Sequence, residues 1–315
     1  KPSPAKISPL PSPQLSPHSS PSREFNKALS DKGDRDPNRT PGSTTSGSGS
    51  DFMGEELHLD AGDSIICVGF HLPIHVECVK DEKEPDKILD WVVTWDADAL
   101  LSRKKATQAD FMRILFVGTV KTFVPLDQQD IVTKKLERYH CVPVFLTPRL
   151  YENVWNGYIN TTLWTVFHNA VDIYGRLPSL WWNGNIQEKQ WEAYMDMNSK
   201  FAGKIVEVFC TGDTVWIQDI GLLILPSFLV RRIRQNIHIG MFVHKPFPSS
   251  EIFRTLSVRE KLLRGMLNAD HIGFHLYEYA RHFLTCCRRI LGLTVKDRPG
   301  GYILVEYQGR QVVVT

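Results

Sequence analysis

Two polar residues stand where apolar strands are predicted to end. Asp219 follows the apolar run Thr214–Gln218, and His244 follows the apolar run that ends at Val243. In α/β proteins, whose strands alternate with helices along the chain, ligands bind at the carboxyl ends of the strands. Both side chains are therefore candidate ligand contacts. Each also has a plainer interpretation. A lone histidine is more often structural, and Asp219 could instead cap a helix beginning near Leu222.

The surrounding elements predict how these residues are held. Apolar runs typical of strands alternate with segments of helical periodicity, such as the predicted helix Tyr277–Leu291. That alternation favours an α/β fold with a mostly parallel sheet covered by helices. Two short apolar runs around Gln308 and Gly309 predict a terminal hairpin. The other predicted strands are Ser64–Val68, Ile114–Val117, Val142–Phe145 and Ile237–Val243, and the other predicted helices are Gln128–Tyr139, Thr161–Val166, Lys189–Phe209, Leu222–Arg234, a short helix capped at Ser249 or Ser250, and Leu256–Leu267.

Composition separates a tail from a globular part. The first fifty residues contain five Ser-Pro steps and end in TTSGSGS, so they hold too few apolar residues to offset chain entropy. We therefore predict a disordered Ser/Pro-rich tail over residues 1–54 and one domain over 55–315. The serines could accept phosphate from proline-directed kinases, or the tail could be a plain linker.

Charge and cysteine content exclude several classes of protein. The net charge of +2 argues against a nucleic-acid binder, which would need a basic surface for phosphates. No apolar run is long enough to cross a membrane, so no membrane association is predicted. The six cysteines fit no zinc motif, and we expect a reducing, cytoplasmic environment.

The segment from Ile239 to Leu293 carries a specific resemblance. Its VHKPFPSSEIFRTL and NADHIGFH stretches match, in order and without gaps, a pattern of the trehalose-6-phosphate synthases. The resemblance extends at lower density back to about Asp63, and WVVTWDADALL resembles the version found in two-domain synthase–phosphatase proteins. It implies the Rossmann-like N-terminal half of a GT-B glycosyltransferase, the fold in which two such domains face each other across a cleft.

The resemblance also implies substrates and site residues. The family makes trehalose 6-phosphate from UDP-glucose and glucose 6-phosphate, without a metal, so neither a cofactor nor a metal is expected. Asp219 is implied to contact the acceptor glucose, His244 a hydroxyl of the donor glucose, and Trp164 the acceptor pocket. Trp155 stands where the family usually has a phosphate-contacting tyrosine. His71 stands where catalytic synthases carry an arginine.

Further departures weaken the catalytic interpretation. Gln218 and Gly221 replace the two histidines that flank the family's aspartate, and Ile220 replaces its tyrosine. The charged stretch Val76–Asp90 predicts a solvated loop in place of the family's glycine-bearing phosphate loop. The family's second Rossmann-like domain, with its basic residues for the diphosphate, does not lie within these 315 residues.

Three functional hypotheses follow from this balance. The first is a degenerate synthase-like domain in trehalose biosynthesis, regulatory or concerned with assembly, beside the subunits of a trehalose synthase/phosphatase complex. The second is an active retaining glucosyltransferase of which this chain is the acceptor-side half. The third is a domain that binds a sugar phosphate without turnover. A second domain with an Arg/Lys pair in the full-length protein would distinguish the catalytic hypothesis from the regulatory one. Direct ligand titration would test the third hypothesis.

Overall fold

The computed structural model describes residues 64–80, 88–99, 113–170, 184–234, 236–297 and 302–315. The predicted tail, residues 1–54, and the first residues of the predicted domain lie outside the described part of the chain.

A nine-stranded sheet forms the centre of this part of the chain. Its strand order is β5-β4-β1-β6-β7-β8-β11-β10-β9, and every neighbouring pair from β5 to β11 is parallel. Only β10 runs against both of its neighbours. The strands are β1 (Ser64–His71), β4 (Arg113–Thr119), β5 (Cys141–Pro143), β6 (Thr214–Gln218), β7 (His238–Val243), β8 (His271–Phe274), β9 (Val295–Asp297), β10 (Ile303–Tyr307) and β11 (Arg310–Val314).

Helices connect these strands and bury apolar faces against them. The last long helix has a continuous buried stripe that includes Ala280, Phe283 and Cys287, and it ends at Gly292 in the left-handed conformation. The helices are α1 (Gln129–Glu137), α2 (Pro148–Tyr151), a π-helix (Glu152–Leu163), α3 (Trp164–Phe167), α4 (Gly184–Val208), α5 (Leu225–Arg232), α6 (Ser250–Phe253), α7 (Arg259–Met266) and α8 (Tyr277–Leu291).

The predicted α/β fold with a mostly parallel sheet is confirmed. The bounds of β6 and α8 agree with the prediction, and β10 and β11 form the expected hairpin around Gln308 and Gly309, both at positive φ. The bounds of other helices shift by a few residues. The predicted helix at Thr161–Val166 is instead part of the π-helix and α3, because helical structure already begins at Pro148.

One prediction is wrong. Where the charged stretch Val76–Asp90 predicted a solvated loop, the chain forms two antiparallel strands, β2 (Ile74–Lys80) and β3 (Ile88–Trp95). Ile74 and Val76 on one strand and Trp91 on the other are buried in a second hydrophobic cluster. The charges alternate with these apolar residues and therefore face away from that cluster. Residues 81–87 of the stretch lie outside the described part.

The sheet has its topological switch point between β1 and β6. The chain leaves β1 for β4 and β5 on one side, then returns to place β6 and β7 on the other side. Connections on the two sides diverge at such a point, which leaves a crevice at the carboxyl ends of the strands. His71 and Asp219 lie at those ends.

Candidate functional site

A cavity of about 500 Å³ opens at the carboxyl ends of β1 and β6. The two strand ends form its floor, and the π-helix and the start of α3 form one wall. Four of the five predicted site residues, His71, Trp155, Trp164 and Asp219, line this cavity. Its other polar or charged lining residues are Asp96, Asp98, Lys121, Asn160, Gln218 and Lys245.

Asp219 has an unusual backbone conformation. Its φ of 64° and ψ of −179° fall in a region that is essentially restricted to glycine. Its backbone N–H donates to the carbonyl oxygen of Phe242 at 2.8 Å, which ties this residue to the end of β7. The surrounding structure therefore holds the residue in a strained conformation, as is common at binding sites.

The carboxylate of Asp219 is poorly satisfied within the chain. Its Oδ1 is buried without a hydrogen-bond partner, and its Oδ2 lies 3.8 Å from Nζ of Lys245. Asp219 does precede a short 3₁₀ turn, Ile220–Leu222, but its side chain makes no capping hydrogen bond. The helix-cap interpretation is therefore wrong, and the exposed part of the carboxylate, in a side chain that is 32% exposed, can accept hydrogen bonds at the cavity.

The turn after Asp219 is fixed from below by a tyrosine. The Tyr194 hydroxyl is fully buried, donates to the carbonyl oxygen of Ile220 at 3.1 Å and accepts from the N–H of Leu223 at 3.0 Å. Burial raises the pKa of Tyr194 far above its usual range, so the hydroxyl keeps its proton. Two backbone groups of the turn are thereby satisfied, which fixes the position of Asp219.

His71 is an uncharged member of the cavity wall. Its Nε2 lies 2.9 Å from the Tyr151 hydroxyl, and its ring forms a T-shaped contact with Trp155 at a centroid distance of 4.4 Å. Burial, with a smaller contribution from the positive charge of Lys121, lowers the pKa of His71 to about 4. At neutral pH this imidazole therefore carries no charge for a phosphate.

The two predicted tryptophans provide apolar surface. Trp155 stacks on Phe70 at 4.7 Å between ring centroids, and Trp164 stacks on His168 at 4.2 Å. Trp164 remains 42% exposed, so one part of its indole is accessible from solvent. Large aromatic faces of this kind suit the apolar faces of a pyranose ring.

His244 is the predicted site residue that does not line the cavity. Its Nε2 lies 2.7 Å from Oε1 of Gln218, which does line it, and its Nδ1 lies 3.2 Å from Nε2 of His275. Burial lowers the pKa of His244, although the charge of Asp219 partly opposes that effect. In this arrangement His244 orients the Gln218 amide from behind.

A glycine replaces the family's second histidine for a visible reason. A Cβ added at Gly221 would lie 3.2 Å from Cβ of Phe70 and 3.4 Å from its Cδ2. Phe70 therefore occupies the space that a side chain at this position would need. Gly221 and the stacked rings of Phe70 and Trp155 therefore lie on the same wall of the cavity, where the side chains differ from those of the family.

Sequence reasoning missed the charged residues on the opposite side. Nζ of Lys121 lies 2.9 Å from Oδ2 of Asp96, whose side chain is only 7% exposed. The hydrogen bond from Lys121 lowers the pKa of Asp96. The signals available were weak: Asp96 directly follows the end of β3 at Trp95, Lys121 follows β4, and Lys245 follows His244 directly.

The described residues lack both a metal cluster and a membrane-spanning helix. They include no group of three or more His, Cys, Asp or Glu side chains that could hold a metal ion. None of the helices in the described ranges is both long and apolar enough to span a membrane.

Comparison with known proteins identifies the family. Residues 64–315 match the sequence profile of glycosyltransferase family 20. The chain belongs to glycosyltransferase family 20. Its resemblance to trehalose-6-phosphate synthases is thereby confirmed, as is the expectation of a Rossmann-like N-terminal GT-B domain.

Curated members of glycosyltransferase family 20 are similar to most of the chain. Alpha,alpha-trehalose-phosphate synthase [UDP-forming] 5 of Arabidopsis thaliana is 40% identical over 254 residues, which cover 80% of this chain and 28% of that protein. The corresponding synthase of Schizosaccharomyces pombe is 40% identical over 207 residues, covering 64% of this chain and 37% of the relative. The chain thus spans well under half the length of these relatives.

Solved structures of the family share the fold. The N-terminal domain of Candida albicans trehalose-6-phosphate phosphatase superposes with a TM-score of 0.63 at 29% identity, covering 82% of this chain and 48% of that one. The synthase of Burkholderia xenovorans, solved with glucose 6-phosphate, gives a TM-score of 0.60 at 20% identity over 81% of this chain and 50% of its own. At that identity the second likeness shows the fold alone.

Proposed function

We propose that this chain is a synthase-like domain of trehalose biosynthesis that binds a sugar at the switch-point cavity but does not itself transfer glucose. The observation that supports it most directly is the Asp219 carboxylate, held in a strained conformation with one buried oxygen unpaired. Strain of this kind lowers the stability of a fold, so its presence at a cavity favours a binding role.

The chemistry of the lining favours a sugar as the ligand. A carboxylate oxygen can accept a hydrogen bond from a hydroxyl, and the Asn160 amide can both donate and accept. Trp155 and Trp164 offer apolar faces on the same cavity. A few convergent polar groups combined with aromatic surface are typical of small-ligand sites.

The same lining is poorly equipped for transfer. A retaining glucosyltransferase must stabilise the departing diphosphate with positive charge or directed hydrogen bonds. His71, at the place of the family's arginine, is uncharged, while Gln218 and Gly221 stand at the places of its histidines. Loss of one such donor typically lowers the rate by ~10²–10³.

A regulatory or assembly role has one specific observation in its favour. The Candida albicans domain, which belongs to a trehalose-6-phosphate phosphatase, has the same fold at 29% identity. A synthase-like domain therefore also occurs in a phosphatase. We infer that this chain works beside subunits of a trehalose synthase/phosphatase complex.

The alternative function is an active glucosyltransferase using UDP-glucose and glucose 6-phosphate, with this chain as its acceptor-side half. In its favour, a Burkholderia relative was solved with glucose 6-phosphate and the Escherichia coli relative with UDP-2-fluoroglucose. The retained Asp219 and Trp164 fit this alternative as well.

A turnover assay with the purified chain tests whether these 315 residues transfer glucose by themselves. UDP-glucose and glucose 6-phosphate are supplied together, and trehalose 6-phosphate is measured by mass spectrometry beside an active synthase. We expect no product above the enzyme-free blank. Product that disappears in Asp219→Ala would overturn the non-catalytic proposal and support the alternative.

A further inference from the structure

The charges of the switch-point cavity point to a narrower ligand class. We propose that this cavity selects an uncharged hexose over a sugar phosphate. The inference rests on the proposed sugar-binding function and adds the charge of the ligand to it.

Negative charge predominates among the described residues that line the cavity. Asp96, Asp98 and Asp219 contribute three carboxylates, while Lys121 and Lys245 contribute two ammonium groups, which leaves one negative charge in excess. His71 adds nothing to the positive side, because burial keeps its imidazole neutral. A phosphate ester would bring up to two further negative charges into this cavity.

Both of these ammonium groups already face carboxylates of the same cavity. Lys121 bonds to Oδ2 of Asp96 at 2.9 Å, and Oδ1 of the same carboxylate accepts from the N–H of Asp98 at 3.1 Å and lies 3.4 Å from Nε2 of His75. Lys245 lies 3.8 Å from Asp219. A phosphate approaching either lysine would therefore meet an aspartate within a few ångströms, and the repulsion would offset the attraction.

An uncharged hexose meets no such conflict. Its hydroxyls can donate to the exposed part of the Asp219 carboxylate, whose side chain is 32% exposed, and exchange hydrogen bonds with Asn160. Its ring can lie against the accessible part of Trp164. These interactions need no positive charge on the protein, so the negative excess does not weaken them.

The test is a titration with two sugars that differ only in the phosphate. Indole N–H signals of Trp155 and Trp164 in the ¹⁵N-labelled full chain, assigned through Trp→Phe variants, report binding of glucose and of glucose 6-phosphate at equal ionic strength. We expect saturable shifts with glucose and roughly tenfold weaker affinity for glucose 6-phosphate.

Each outcome of the titration bears on a different claim. Equal or tighter binding of glucose 6-phosphate would overturn the charge inference and leave the proposed sugar site standing. Unchanged indole signals with both sugars would overturn the sugar site itself.

A variant tests the cause of the selectivity. Asp96→Asn keeps the shape of the side chain, removes one charge and releases Lys121, so we expect glucose 6-phosphate affinity to rise about tenfold with little change for glucose. The matched control is Asp90→Asn, which breaks another carboxylate–lysine pair on the neighbouring β3, with Lys135. We expect no change for either sugar there.

His71→Arg provides a second variant that does not depend on the Asp96 environment. A guanidinium at this wall would supply the missing positive charge, so it should also raise glucose 6-phosphate affinity. Thermal melts establish that each variant is folded. If neither Asp96→Asn nor His71→Arg improves the binding of the phosphate ester in a folded chain, charge does not select the ligand and the proposal is overturned.

Discussion

Replacing Asp219 by glycine should make the protein more stable and abolish sugar binding. In most positions a glycine substitution destabilises, because it increases the entropy of the unfolded chain. Asp219 reverses this expectation, since its φ of 64° and ψ of −179° suit glycine and strain any other residue.

The magnitude follows from four contributions. Relief of the backbone strain should contribute about 1–3 kcal/mol, and removal of the buried, unpaired Oδ1 about 1–3 kcal/mol. Against these stand about 0.4–1 kcal/mol of unfolded-chain entropy and at most about 1 kcal/mol for the loose pair with Lys245. We expect a net gain of about 2 kcal/mol in the free energy of unfolding.

Urea and thermal denaturation measure this gain, with a rise in Tm of about 4–8 °C for a domain of this size. Asp219→Asn separates the causes, because it removes the charge but retains the strained backbone and should gain little. Gln308→Gly is the matched control, because Gln308 lies in an exposed hairpin turn with a φ of 52° and has no buried, unpaired side-chain oxygen. It isolates the effect of the left-handed backbone conformation alone. It should gain about 1 kcal/mol or less.

The result that would refute this reasoning is a loss of stability. If Asp219→Gly lowered the free energy of unfolding by about 1 kcal/mol, the carboxylate would be acting as a helix cap after all. The expected outcome instead couples higher stability to lost indole shifts with glucose, which is the trade-off typical of a binding site.

Three further predictions concern the packing around the site. The pKa of His71 is about 4 in the folded chain and ordinarily 6.5, so its contribution to the free energy of unfolding is complete above pH 6.5 and is lost as the pH falls towards 4. Urea titrations should therefore show that the free energy of unfolding falls by up to about 3 kcal/mol over that pH range, compared with the His71→Gln variant. Gly265→Ala should destabilise by about 1–3 kcal/mol in a thermal melt, since the new Cβ would lie 2.8 Å from Cα of Ile224, whereas Gly240→Ala, with open space at its Cβ, should not. Tyr194→Phe should cost about 1–3 kcal/mol in the same assay by leaving two buried backbone groups of the turn after β6 unpaired, and an unchanged melting temperature would contradict that role.

The sequence predicted those elements that depend on local pattern. The β6 run and the periodic stripe of α8 were recognised with their correct bounds, because alternation and a 3.6-residue period are properties of neighbouring residues. The strand pair β2–β3 was missed because charges obscure the alternation of its apolar residues. Its burial depends on Leu136 and other residues far along the chain.

Position in a motif was likewise enough to select candidate site residues. The end of an apolar strand identified Asp219, the resemblance to the synthases identified His71 and both tryptophans, and the cavity brings all four together. His244 was selected by the same reasoning, yet it lies behind Gln218, because only the three-dimensional path of β7 decides which side chain reaches the cavity.

Tertiary structure alone determined the electrostatic properties of the site. No sequence pattern indicates that Lys121 pairs with Asp96, that burial lowers the pKa of His71, or that Asp219 has a positive φ and an unpaired oxygen. Hydrogen bonding and desolvation depend on which groups the fold brings together, and here they lie on strands that are distant in sequence. The sequence therefore determined the family, the sheet and the identity of the main candidate residues. Which of those residues carry a charge, and which of them pair with each other, was decided by packing at the switch point.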